Sequence, residues 1–118
     1  MMNQRQIQVF DSIYWFNQGI NYSSEGNHRE STNCFLIAWR LCEVDLEALV
    51  NAFIEALSVM DYVKMALILT VLRDCAPEEG YKRIVSMLVS DNKGEPQIEK
   101  TLDVLKEVFF SKELFSKI

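Results

Sequence analysis

Four glycines and two prolines in 118 residues are too few to punctuate a β protein. Tight turns between strands draw on both residue types, and ordinary usage would supply about 8 glycines and about 6 prolines at this length. A chain so poor in turn residues is expected to fold as helices joined by short connections. Hydrophobic residues make up 49% and charged residues 25%, which is ordinary for a globular protein and far from the low-hydrophobicity regime of disorder. At this length folding buries about two-thirds of the unfolded surface, enough for one core without staples. The expectation is a single all-α domain over residues 1–118, a compact bundle of five to seven helices or, alternatively, two stacked helical hairpins.

Helical periodicity places the elements. Ile7, Phe10, Ile13 and Tyr14 give a first helix from Asn3 to Phe16, ending near Gly19. The polar stretch from Gln18 to Glu30 reads as the longest loop, after which Ser31, Thr32 or Asn33 caps a second helix. Asp45 reads as the cap of a third, with Leu46, Leu49, Val50, Phe53 and Leu57 inward and Glu47, Asn51 and Glu55 opposite. Asp61 opens a fourth, in which Met65, Leu67, Ile68, Leu69, Val71 and Leu72 point all round the axis. Such a helix should be covered on every side, as the central core helix or as half of a self-association surface. Pro77 suits the first turn of a fifth, with Tyr81, Ile84, Val85 and Leu88 inward. After a break at 91–96, Ile98, Thr101, Leu102, Leu105, Val108 and Phe109 line a sixth, and Ser111 caps a last turn with Leu114, Phe115 and Ile118. A shift of 33 residues aligns Leu36, Arg40 and Cys42 with Leu69, Arg73 and Cys75, a spacing in the range of helical-hairpin repeats.

The net charge of −5 is local. Glu43, Asp45, Glu47, Glu55 and Asp61 fall in a stretch without Lys or Arg, whereas the rest of the chain balances. With Asn51 on the same helix, these acids form the first candidate site, a negative surface that steers a basic protein partner. The bland reading makes Asp45 and Asp61 caps and leaves the others solvated, each worth about 0.3 to 1 kcal/mol locally. A second candidate surface is Trp15, Tyr22, His28 and Arg29 around the 18–30 stretch, where aromatics could anchor a partner and the sole histidine titrates near neutrality. A solvated surface histidine explains His28 equally well.

Three cysteines cannot close a complete disulfide framework, and Cys34, Cys42 and Cys75 sit in apolar helical settings as small hydrophobes. Reduced thiols and the lack of a signal-peptide pattern imply a cytoplasmic protein. With one histidine and no CxxC, no metal site is expected, and the sparse glycines support no nucleotide-binding loop, so no cofactor is expected. A calculated pI of about 4.8 argues against nucleic acid. The ten residues from Val63 to Leu72 are too few to span a bilayer, so no membrane partner is expected.

These readings predict a non-catalytic protein–protein interaction module. Its sharpest form is a small acidic inhibitor that masks a basic partner through the 43–61 surface, in the manner of an immunity protein, an antitoxin or a phage-encoded inhibitor. The alternative is a homo-oligomeric regulator that holds a small ligand between subunits, at the fourth helix or near Trp15. The third is an enzyme using His28 with Glu25 or Glu30.

Overall fold

The computed structural model of the chain describes residues 2–91 and 98–110, and among them it is all-α. Six helices follow in order: α1 (Gln4–Ser24), α2 (His28–Leu41), α3 (Leu46–Ser58), α4 (Tyr62–Cys75), α5 (Pro77–Asp91) and α6 (Ile98–Phe110). The break at 91–96 beyond Asp91, and the final turn with Ser111, Leu114, Phe115 and Ile118, lie outside the described residues. The chain divides into two units, Met1–Ile68 and Leu69–Ile118.

In the first unit α1 begins with a reciprocal cap: Gln6 N–H donates to Asn3 Oδ1, and Asn3 N–H donates to Gln6 Oε1, each at 2.9 Å. The helix does not stop near Gly19. It runs to Ser24, so the expected loop from Gln18 to Glu30 reduces to the three residues 25–27. The physical reason separates the two glycines. Gly26 has φ +78°, with Gly26 N–H donating to Ser23 O and Asn27 N–H to Tyr22 O, the Schellman closure that ends a helix. Gly19 is helical, and its missing side chain lets α1 meet α2: a Cβ there would lie 2.7 Å from the Phe35 ring.

The cap of α2 is consequently Asn27, whose Oδ1 accepts from Glu30 N–H, and not Ser31, Thr32 or Asn33. Ser31 and Thr32 are buried inside the helix, where their hydroxyls donate to Gly19 O and His28 O. Ser12 of α1 likewise donates to Ala38 O at 2.9 Å. Short hydroxyl side chains satisfied on backbone carbonyls allow this close approach without orphaned polar groups. Against α2 packs α3, with Ala48, Leu49, Ala52, Phe53 and Ala56 buried, as are Phe35, Ala38 and Trp39 of α2. Asp45 caps α3 as expected, accepting from Glu47 N–H at 3.1 Å.

The connection from α3 to α4 repeats the Schellman pattern, with Asp61 N–H donating to Ala56 O and Met60 N–H to Leu57 O. Here the left-handed position is filled by Met60, at φ 55°. Asp61 then accepts from Lys64 N–H at 3.2 Å and opens α4. Within the chain α4 is not covered on all sides, which removes the central-core alternative. Ile68 and Leu72 are fully buried, but Tyr62, Val63 and Leu67 are exposed, Leu67 by 55%. Its apolar residues form one buried line and one open one.

In the second unit Pro77 begins α5, with Glu78 and Glu79 in its first turn where the helix dipole favours them. Gly80 is buried against Leu72, 3.2 Å from where a Cβ would sit. Ile84 and Leu88 of α5 and Leu105 and Phe109 of α6 are buried, and the Tyr81 ring packs edge-on to Phe109 and Phe110 at 5.9 and 5.1 Å. At the 33-residue offset Phe35 and Ile68 are both buried, as are Trp39 and Leu72, whereas buried Cys34 falls on exposed Leu67.

Candidate functional site

The acids expected to share one surface are dispersed. Asp45 caps α3 and Asp61 opens α4, and the 13-residue α3 between them separates the two by about 20 Å. Glu43 is exposed in the α2–α3 turn, with its Oε1 3.7 Å from Arg40 Nη1. Glu47 is exposed in the first turn of α3, and Asn51 is half-buried.

Glu55 departs from the expectation outright. Rather than facing solvent opposite the apolar stripe, it is 7% exposed, and its Oε2 lies 2.5 Å from His28 Nδ1. An ionised carboxylate only accepts, so Nδ1 carries the hydrogen. Helical periodicity puts Glu55 on the polar side of α3, but that side is covered where the start of α2 crosses it. The pair thus joins a residue of each expected candidate set, and it ties the first residue of α2 to the last turns of α3. The pair fixes the imidazole through Nδ1, which is how a structural tie and an oriented general base are both built.

The remaining residues of the second candidate surface do not converge. Trp15 and Tyr22 are half-buried on α1, with Trp15 edge-on to Tyr14 at 5.4 Å, and Arg29 is exposed. Glu25 and Glu30 are exposed, and it is Glu55 that meets His28. Among the described residues no group of three His, Cys, Asp or Glu side chains stands where it could hold a metal ion. None of the helices among these residues is long and apolar enough to cross a membrane. Cys34, Cys42 and Cys75 are free, and burial pushes the Cys34 thiol up, with the nearby Glu30 adding to the effect.

The feature that periodicity alone did not single out lies on α1. Only Ser12 and Gly19 of its 21 residues are buried. At about 100° per residue the buried line faces α2, Ile7, Phe10, Ile13 and Tyr14 lie away from it, and Val9 and Ile20 lie at the edge, all between 42% and 59% exposed. The charged residues of α1 are Arg5 and Asp11, and neither falls within that face. A shallow recess of about 430 Å³ beside Asn3, Arg5, Gln6, Val9 and Phe10 continues the same surface. The signal was present as the spacing of Ile7, Phe10, Ile13 and Tyr14, but a periodic apolar stripe reads first as core.

No protein-family model matches the chain, and no curated protein and no solved structure matches it.

Proposed function

We propose that the protein is a non-catalytic protein–protein interaction module that docks through the outer face of α1. One observation carries the reading: an uncharged face on which Ile7, Phe10, Ile13 and Tyr14 stand open beside the amides Gln6 and Asn17, on a helix whose other side is already packed. Soluble proteins seldom leave such a patch open unless it meets a partner. Three cysteines without disulfide partners suit a reducing compartment such as the cytoplasm.

A basic partner, masked by an acidic inhibitor, is the second reading. It rests on Glu43 and Glu47, exposed on either side of Val44, itself 85% exposed. The two readings separate when a photoreactive phenylalanine analogue replaces Phe10 in one form of the protein and Val44 in another, each made in its own cells. A covalent adduct from position 10 and none from position 44 is the expected result. Adducts from position 44 alone would transfer the function to the acidic turn, and none from position 10 overturns the α1 reading.

A further inference from the structure

We draw no further inference here: the strongest candidate, the open face of α1 that carries Ile7, Phe10, Ile13 and Tyr14, belongs to the site already described, and nothing in the structure shows what covers it.

Discussion

Glu55 and His28 show how far a residue's neighbours can exceed what its sequence position discloses. Each reads as solvated when taken alone, because helical spacing puts Glu55 opposite the apolar stripe and the polar run around His28 resembles a loop. Their meeting depends on how α2 crosses α3, which no local pattern encodes. The pair has a measurable consequence. His28→Ala leaves the buried carboxylate without its donor and should cost about 2 kcal/mol in urea unfolding, less than the about 3–5 kcal/mol for a fully buried pair because His28 remains a third exposed. Glu55→Leu removes the buried charge altogether and should cost less than His28→Ala. The thiols obey the same logic of surroundings. Alkylation at neutral pH should run Cys75 first, Cys42 next and Cys34 last, since burial both shields the Cys34 sulfur and disfavours its thiolate. A mass-spectrometric time course reads that order directly.

At the scale of the elements, the fold class was legible because helices declare themselves through period and punctuation. Asp45, Asp61 and Pro77 begin helices as their chemistry requires. The misplacement of the α1–α2 turn arose from reading Gly19 as a stop. A glycine ends a helix through positive φ or joins two helices through lack of a Cβ, and only three-dimensional contact separates the two roles. Substitutions should separate them as well. Gly19→Ala should destabilise by about 1–3 kcal/mol although alanine is the better helix former, because its methyl would press on the buried Phe35 ring. Met60→Gly should act in the opposite sense and stabilise by about 1 kcal/mol, since an exposed methionine gives up little packing while φ 55° suits glycine. Thermal midpoints of the two variants should move in opposite directions.

For the whole molecule, binary patterning divides residues into apolar and polar without saying which apolar faces are filled. The stripe on α1 reads first as core and the all-round apolar pattern of α4 as core or self-association surface, and within the chain Phe10, Ile13, Tyr14, Val63 and Leu67 are open. The acids attracted attention because they carry the net charge, but capping and the His28 tie account for Asp45, Asp61 and Glu55. What remains for recognition is open apolar surface, and among the described residues the face of α1 carries more of it than α4 does. Hydroxyl-radical footprinting of the chain in its own cell extract, set beside the purified chain, measures occupancy of that face residue by residue. Phe10, Ile13 and Tyr14 should be protected in the extract and labelled in the purified chain, with Val44 labelled and Trp39 protected in both. Labelling of the α1 face that is equally strong in extract and purified chain would contradict the account.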